Sequence, residues 1–304
     1  MHPFDITILG CSSATPTSKR NPTAQLVNHA ERFFLIDCAE ATQIQLRKFK
    51  IKFQRINHIF ISHLHGDHYL GLPGLLASMH LLGRTNDLHI YAQAELQEII
   101  EINYKHSDTR LNYKIVYHPL KYDKSEIIYE DEKLFVSTII LNHRVPCCGF
   151  IFSEKENQRN IIKEKIEEYS IPVSEINNIK SGADYICEDG KIILNAALTL
   201  DSFPTRKYAY CSDTCYDESI IEQIKKVDLL YHEATFMQNM LARAKATFHS
   251  TAAQAGEIAL KAEVKQLIIG HYSARYKELE PLLAEAKNIF SNTVLAVEGE
   301  KYFV

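Results

Sequence analysis

The feature that most restricts what this chain can be is the stretch "SHLHGDHYLG", residues 62–71, in which three histidines and an aspartate fall between His63 and His68. His63 and His65 are two positions apart, so at the end of a strand their side chains point the same way and can bind one ion together. A turn after them lets Asp67 and His68 face a second ion. Imidazole and carboxylate groups are the ligands expected of zinc in a catalytic site with an open position. The alternative is an exposed, histidine-rich loop that binds no metal.

Composition places the chain among ordinary globular proteins and leaves its function open. It has 304 residues, of which 46% are hydrophobic and 24% are charged. The start, "MHPFDITILG", lacks the basic and apolar regions of a signal peptide, and no run approaches the ~18 apolar residues of a membrane span. The seven cysteines form no CxxC pair, which is typical of reduced thiols in a cytosolic protein. We therefore expect a soluble protein of the cytoplasm with no membrane partner.

Apolar stretches alternate with segments of helical period along most of the chain, which predicts a layered α/β architecture. Strand-like stretches include "FDITILG", "RFFLIDCAE", "RINHIFISH", "KLFVSTIILNH", "VDLLYHEATF" and "KQLIIGHY". Polar residues stand where strands end: His63, His143, Asp213, His232 and His271. In α/β folds, ligand sites gather beyond strand ends, where loops converge from distant parts of the sequence.

The segment from about 152 to 200 breaks this alternation. Its first part, "SEKENQRNIIKEKIEEYS", is highly charged and favours a solvated helix with little apolar face. Its second part, "IPVSEINNIKSGADYICEDGK", carries turn-forming residues. We expect a single domain over residues 1–304, in which this segment is an inserted arm projecting from the body.

Four clustered ligands cannot complete two metal sites with a bridging group, so distant partners are expected. "LNHRVPCCG" supplies His143, "CSDTC" supplies Asp213 and "IIGHYS" supplies His271. A single histidine at a strand end is more often a hydrogen-bonded structural residue. The order histidine, aspartate, histidine after HxHxDH makes a consistent set, however.

This set resembles the metallo-β-lactamase superfamily, and further motifs are similar to those of ribonuclease Z, the family of tRNA 3′-processing endonucleases, in its short form. "HEATF" at 232–236 resembles the family's HEAT motif, "ATFHST" at 246–251 its HST motif, and "PTSKRNPTA" at 16–24 its P-x-K-x-R-N loop. The HxHxDH pattern identifies only the superfamily, whereas the other three motifs point to ribonuclease Z. The resemblance covers most of the chain and implies a metallo-β-lactamase-like αβ/βα sandwich with an inserted arm.

The resemblance also implies two Zn²⁺ ions per chain. It assigns their ligands as follows, with Asp213 bridging the two ions: His63, His65 and His143 on one, and Asp67, His68 and His271 on the other. Two metals ~3.5–4 Å apart can hold a hydroxide and neutralise charge on the oxygens of a phosphodiester. In the family, Asp67 would also accept the proton of the attacking water.

A ribose 3′-oxygen is a poor leaving group, so a proton donor outside the metal ligands is expected. His249 in "FHST" is the best candidate, and Glu233 in "HEAT" could hydrogen-bond it and raise its pKa. The alternative for His249 is a structural position before a helix, because Ser250 and Thr251 have the pattern of helix caps. His232 is more consistent with a structural role than with a ligand.

Candidate RNA contacts lie in two places. Lys19 and Arg20 follow a turn of small residues and could place cations beside phosphates, although a solvated loop is the alternative. In the arm the candidates are Lys155, Arg159, Lys163 and Lys165. The net charge of −4, from 34 basic and 38 acidic residues, gives no general attraction to polyanions. The arm mixes these cations with glutamates and lacks the glycine- and proline-rich segment common in the family, which departs from the resemblance.

The resulting hypothesis is an endoribonuclease that removes the 3′ trailer of precursor tRNA by metal-hydroxide attack, leaving a tRNA 3′-hydroxyl and a 5′-phosphorylated trailer. Precursor tRNA is the expected partner, DNA is not, and the family's homodimer is expected. Two alternatives stay open: a hydrolase of small esters, thioesters or cyclic phosphodiesters on the same fold, and an inactive RNA-binding relative. The charged arm and the loop at 16–24 disfavour the first, and the complete ligand set disfavours the second.

Overall fold

The structure is a computed structural model that describes residues 2–304. Its strands, in chain order, are β1 (Phe4–Gly10), β2 (Ala24–His29), β3 (Arg32–Ile36), β4 (Ile56–Phe60), β5 (Leu88–Ala92), β6 (Ile115–Pro119), β7 (Ile127–Glu130), β8 (Leu134–Leu141), β9 (Cys147–Glu154), β10 (Asn160–Ile161), β11 (Tyr185–Ile186), β12 (Ile192–Ile193), β13 (Thr199–Leu200), β14 (Lys207–Cys211), β15 (Leu229–Glu233), β16 (Gln266–Gly270), β17 (Thr293–Leu295) and β18 (Lys301–Phe303).

The helices lie between these strands and are mostly short. They are α1 (Thr42–Lys48), α2 (Gly66–Tyr69), α3 (Leu72–Leu81), α4 (Glu95–His106), α5 (Lys163–Glu168), α6 (Val173–Lys180), α7 (Asn195–Leu198), α8 (Ile221–Ile224), α9 (Leu241–Thr247), α10 (Ala252–Lys261) and α11 (Glu280–Lys287), with 3₁₀ turns at Phe53–Arg55, Glu218–Ile220 and Gln238–Met240. Across residues 2–304, no helix has the length and apolar character needed to cross a membrane.

Most strands belong to two seven-stranded sheets. The first has the order β18-β1-β2-β3-β4-β5-β6, and its strands from β3 to β6 are parallel. The second has the order β17-β16-β15-β14-β9-β8-β7, and its strands from β14 to β17 are parallel. Parallel strands are covered on both faces and therefore have nearly continuous apolar sequences; every residue of β15 is buried. The predicted α/β alternation is therefore present.

Aromatic side chains from the two sheets pack against each other. The ring centroid of Phe34 on β3 lies 5.7 Å from that of Phe152 on β9, and the Phe60 ring on β4 lies 5.5 Å from Phe150. All four side chains are essentially inaccessible to solvent. Removing such a ring costs about 3–5 kcal/mol, so these contacts hold the strands that lead to the metal-ligand candidates in fixed positions.

Helix α3 shows how the outer layer forms from its sequence. Pro73 occupies its first turn, where a proline loses no helical hydrogen bond. Leu72, Leu75, Leu76 and Met79 follow the spacing of one helical face and are all fully buried in the core cluster that also contains β4 and β5 residues. The helix therefore covers the first sheet directly after the histidine-rich loop.

Residues 131–135 and 153–206 form a smaller compact unit, separate from the unit that contains 2–130, 136–152 and 207–304. The smaller unit contains two short ladders, β10 with β13 and β11 with β12. Its own apolar core consists of Ile171, Ile179, Tyr185, Ile193 and Leu198. The solvated helix expected in the charged stretch is limited to α5, and the description of this segment as an arm of a single domain stays a prediction.

Candidate metal centre

The candidate ligands follow the ends of strands that lie in both large sheets. The HxHxDH segment follows β4, His143 follows β8, Asp213 follows β14, and His271 directly follows β16. Asp213 and His271 both have φ of 57°, in the left-handed region that residues other than glycine seldom adopt. Such conformations persist where the surrounding structure imposes them, and they often mark functional sites.

One group of ligand atoms comes from His63, His65, His143 and Asp213, and all of them lie within 4.8 Å of one another. The His65 Nδ1 atom is 3.0 Å from His63 Nε2 and 3.2 Å from His143 Nε2. The Asp213 Oδ2 atom is 3.6 Å from His63 Nε2 and 3.7 Å from His143 Nε2. Bonds of ~2.0–2.2 Å from zinc to nitrogen and oxygen give ligand atoms separations of this order.

A second group comes from Asp67, His68 and His271. The Asp67 Oδ2 atom is 3.6 Å from the Nε2 atoms of both histidines. The Asp213 Oδ1 atom is 3.2 Å from His68 Nε2 and 3.0 Å from His271 Nε2. Asp213 therefore turns one carboxylate oxygen towards each group of histidines.

The donor atoms fit a pair of divalent cations. His68 Nε2 and His271 Nε2 are buried and lack a hydrogen bond of acceptable geometry, although Asp213 Oδ1 is close to both. A buried polar atom without a partner is costly, and such atoms usually have one. A cation between these nitrogens and the Asp213 carboxylate would satisfy both.

The protonation states of His63, Asp67 and Asp213 also suit metal ligands. Burial and the neighbouring His68 lower the pKa of His63 well below its usual value, which leaves a neutral imidazole. Burial raises the pKa of Asp67, but His68 and His271 outweigh it and hold that pKa low. Burial acts in the same way on Asp213, where His271 and His68 keep the pKa well below its usual value. The carboxylates are thus ionised.

Asp37 supports this centre, and sequence reasoning missed it. It is fully buried after β3, and its Oδ2 accepts a hydrogen bond from the Nδ1–H of His68 at 2.7 Å. The hydroxyls of Ser62 and Tyr210 donate to the same oxygen at 3.0 and 2.7 Å. The Ser62 oxygen lies 3.0 Å from His63 Nδ1, so it links Asp37 to a second ligand. The available signal was a charged residue directly after the apolar run "RFFLI".

Glu233 is a second buried carboxylate behind the candidate ligands, and it supports His271 as Asp37 supports His68. Its Oε2 accepts a hydrogen bond from the Thr235 hydroxyl at 2.6 Å, and that hydroxyl oxygen lies 3.0 Å from Nδ1 of His271. A buried carboxylate thus orients a candidate ligand through a hydroxyl, as outer-shell groups do at metal sites. The backbone N–H groups of Thr214 and Ser250 also donate to Glu233.

His249 makes the hydrogen bond to Glu233 that the motifs predict. Its Nδ1 lies 2.8 Å from Glu233 Oε1. Burial lowers the pKa of His249, but the charge and hydrogen bond of Glu233 outweigh this and raise the pKa to about 9. The His249 ring centroid is 5.3 Å from that of His143 and 5.4 Å from that of His271. Thr251, not His249, caps α10 through a capping box with Gln254.

His232 belongs to neither group of candidate ligands. It is buried, and its Nδ1–H donates to the backbone carbonyl of Glu233 at 2.8 Å. Burial lowers the pKa of His232, so the ring is neutral. These contacts agree with the structural role expected for it.

The loop at 16–24 adjoins the centre through its preceding turn. The Ala14 N–H donates to Asp67 Oδ2 at 2.7 Å. Arg20 is half-buried and donates from Nη2 to the backbone carbonyl of Tyr276 at 2.8 Å, whereas Lys19 is exposed. Arg20 thus fixes the loop, and Lys19 extends into solvent.

The arm cations lie in the smaller unit, where Arg159 and Lys165 have acidic partners. Arg159 Nη1 is 2.6 Å from Asp201, and Lys165 Nζ is 2.6 Å from Glu168. Lys155 is half-buried, and Lys163 is exposed. The mixed charge noted in the sequence is therefore partly neutralised within the unit.

Known proteins with similar sequences and structures cover almost the whole chain. The family described as Anti-Pycsar protein Apyc1 matches residues 4–292. The chain is 54% identical over 301 residues to Ribonuclease Z of Phocaeicola vulgatus, with 99% of this chain and 97% of the relative covered. It is 50% identical over 299 residues to Ribonuclease Z of Bacteroides fragilis, with 98% of each covered.

Two solved structures extend the comparison. Human tRNase Z, short form, has a TM-score of 0.72 and 27% identity, with 98% of each chain covered. YhfI of Bacillus subtilis, described as a metallo-β-lactamase fold protein, has a TM-score of 0.68 and 18% identity, with 99% of each chain covered. The second likeness is one of fold alone.

Proposed function

The chain belongs to the ribonuclease Z family and to the family described as Anti-Pycsar protein Apyc1, and we infer from this membership that it is an endoribonuclease that processes the 3′ ends of tRNA. The similarity to human tRNase Z in structure supports the same activity. The family and the metallo-β-lactamase fold predicted from the motifs are thereby confirmed. The observation that carries the inference is about 50% identity to relatives named Ribonuclease Z over nearly the whole chain.

We propose that the two ligand groups hold two divalent cations. One would be held by His63, His65 and His143, the other by Asp67, His68 and His271, and Asp213 would contact both. When bound, such a pair supplies positive charge for the phosphodiester oxygens and lowers the pKa of water. The residues behind the ligands keep the rings in place: Asp37 with Ser62 on one side, and Glu233 with Thr235 on the other.

Asp67 has a second proposed role, at the attacking water. Its Oδ2 is engaged by the Ala14 N–H, and its pKa is held low, so the group is ionised. An ionised carboxylate in this place can accept a hydrogen bond from the attacking water and receive its proton. The Ala14 contact keeps the carboxylate in one orientation while it does so.

His249 is the proposed proton donor to the leaving 3′-oxygen. Because Glu233 raises its pKa to about 9, the ring is protonated at neutral pH and carries a proton on Nε2 while Nδ1–H donates to Glu233. Its place beside His143 and His271 puts that proton next to both ligand groups. General acids in such positions contribute about 10²–10⁴-fold to rate.

RNA contacts are proposed at Lys19 and Arg20 and, in the smaller unit, at Lys155, Arg159, Lys163 and Lys165. Lys163 is the most direct test, because it is exposed and no acidic partner contacts it among residues 2–304. Lys163→Glu should weaken binding of precursor tRNA by about three- to tenfold, as loss of one phosphate contact would. Lys124→Glu, at an exposed lysine of the larger unit, is the matched control. Equal Kd values for both variants in a filter-binding assay would remove Lys163 from the RNA surface.

The proposal also covers which metal the protein binds, how its chains assemble and where in the cell it acts. The nitrogen and oxygen donors favour Zn²⁺, with two ions per chain. We place the protein in the cytoplasm as a homodimer, which is the family's assembly. Metal analysis and light scattering of the purified protein test these points; one ion per chain, or a monomer at micromolar concentration, would refute them.

A comparison of substrates tests the function against its alternatives. The wild-type protein should cleave a 3′-extended tRNA transcript with a higher kcat/KM than bis(p-nitrophenyl) phosphate, a thioester or a cyclic nucleotide. A preference for the cyclic nucleotide or thioester would instead indicate a small-molecule hydrolase on this fold. Binding of the transcript without turnover, by protein that holds its metals, would indicate the inactive relative.

A further inference from the structure

Arg275 is an exposed cation near the candidate centre, and two contacts orient its side chain. Its guanidinium lies 4.9 Å from the centroid of the Phe236 ring, and its Nε donates a hydrogen bond to Ser273 Oγ at 3.0 Å. Within the described range 2–304, no carboxylate forms an ion pair with it. The side chain is exposed, and no hydrogen bond from its terminal Nη atoms is formed within residues 2–304.

Phe236 connects Arg275 to the proposed proton donor. It is buried, and its ring meets the His249 ring edge to face, with centroids 6.2 Å apart and an interplanar angle of 62°. The backbone of Phe236 is fixed by hydrogen bonds with Ser250 and Ala252 in the segment that carries His249. One buried side chain therefore separates the guanidinium from His249.

The segment that carries Arg275 is also fixed at several points. The Ser273 N–H donates to the carbonyl of Thr235, and the Tyr276 N–H donates to the carbonyl of Ser273. The Tyr276 hydroxyl accepts from Met237 N–H at 3.0 Å, and its carbonyl accepts from Arg20. Arg275 is thus attached to a rigid turn that also anchors the loop at 16–24.

We propose that Arg275 binds a phosphate of the RNA strand adjacent to the scissile phosphodiester. This inference rests on the proposed function, because it assigns a further contact to the same substrate. A guanidinium presents two parallel N–H donors to a phosphate, and stacking on an aromatic face orders it before substrate arrives. An ammonium group does not offer this planar pair of donors. The position beside Phe236 and His249 identifies a neighbouring phosphate, not the reacting one, as the group it meets.

The test compares Arg275→Ala, Arg275→Lys and Lys277→Ala, since Lys277 is an exposed lysine two residues further on. Each variant is measured for steady-state cleavage of a 3′-extended tRNA transcript and for hydrolysis of bis(p-nitrophenyl) phosphate, which lacks a neighbouring phosphate. Arg275→Ala should lower kcat/KM for the transcript about 10- to 100-fold, mainly through KM. Arg275→Lys should recover only part of the loss, and Lys277→Ala should lie within threefold of wild type.

The outcomes separate this inference from the function on which it rests. If wild type fails to cleave the transcript, the proposed function fails, and the phosphate contact with it. If wild type cleaves it but Arg275→Ala behaves as Lys277→Ala does, only the Arg275 inference is overturned. Equal losses on the transcript and on bis(p-nitrophenyl) phosphate would also overturn it, because a packing role would then account for the residue.

Discussion

Asp213 is the residue on which both ligand groups depend. Its Oδ2 faces His63 and His143, and its Oδ1 faces His68 and His271. It is buried and has a left-handed backbone conformation. A short aspartate side chain reaches both groups only because the turn after β14 aims it between them.

Asp67→Asn should lower kcat for transcript cleavage by about 10²–10⁴-fold, because the amide can neither accept the proton of the attacking water nor balance the charge of a cation. Melting curves should show that the variant folds. Asp123→Asn, at an exposed aspartate of the loop before β7, is the control. A kcat within twofold of wild type would exclude Asp67 from the chemistry.

Asp37→Asn tests whether the group behind the ligands controls metal binding. The amide keeps the shape of the side chain but loses the charge that holds His68 Nδ1–H and the hydroxyls of Ser62 and Tyr210. Metal affinity, measured by competition with a chromophoric chelator, should fall about 10- to 100-fold. Asp87→Asn, at an exposed position, should leave it unchanged. Equal affinities in the two variants would contradict the supporting role.

Single residues also show the limit of sequence reasoning. The ligand candidates could be predicted because HxHxDH is compact and the distant partners stand directly after apolar strands. Asp37 has only the weak signal of a charge directly after an apolar run, because it acts through contacts with Ser62 and His68 that no local spacing records. Thr235 belongs to a quoted motif, but its place between Glu233 and His271 is a matter of three-dimensional geometry.

At the scale of elements, several strands that lead to the candidate ligands could be predicted, and the turns after them could not. Apolar runs indicated β4, β8, β15 and β16, and β15 and β16 are buried almost throughout, as strands covered on both faces are. The left-handed φ angles of Asp213 and His271 could not be predicted, because aspartate and histidine adopt this region at only a minority of their positions. The charged stretch at 153–170 favoured a longer helix than the structure has: only α5 is helical, and residues 155–159 have no regular secondary structure.

Helix α10 begins at Ala252, three residues after His249, so its N-terminus helps to fix the segment that carries His249. Thr251 Oγ1 accepts from Gln254 N–H at 3.2 Å, and the Gln254 side chain accepts from Thr251 N–H at 3.0 Å. Thr251→Ala should lower the free energy of unfolding by about 1 kcal/mol, measured by urea denaturation. Thr251→Ser keeps the cap and should retain most of the stability. Equal loss in both variants would show that packing of the threonine methyl, not capping, is responsible.

For the whole molecule, the larger unit brings every proposed metal ligand together, from loops as distant as His63 and His271. Its buried phenylalanines hold strands of the two sheets together, and the turns at the strand ends position the candidate ligands. The comparisons with relatives add the substrate class, which geometry alone would not distinguish from that of a small-molecule hydrolase on the same fold. The smaller unit, residues 131–135 and 153–206, has its own core and supplies the arm cations.

The most direct measurement is cleavage of a 3′-extended tRNA transcript with the product ends mapped, before and after treatment with a chelator and after readdition of zinc. We predict one cut that leaves a tRNA 3′-hydroxyl and a 5′-phosphorylated trailer, is abolished by the chelator and is restored by zinc. A cut that persists in the metal-free protein, or no cut by protein shown to hold two zinc ions, would contradict it.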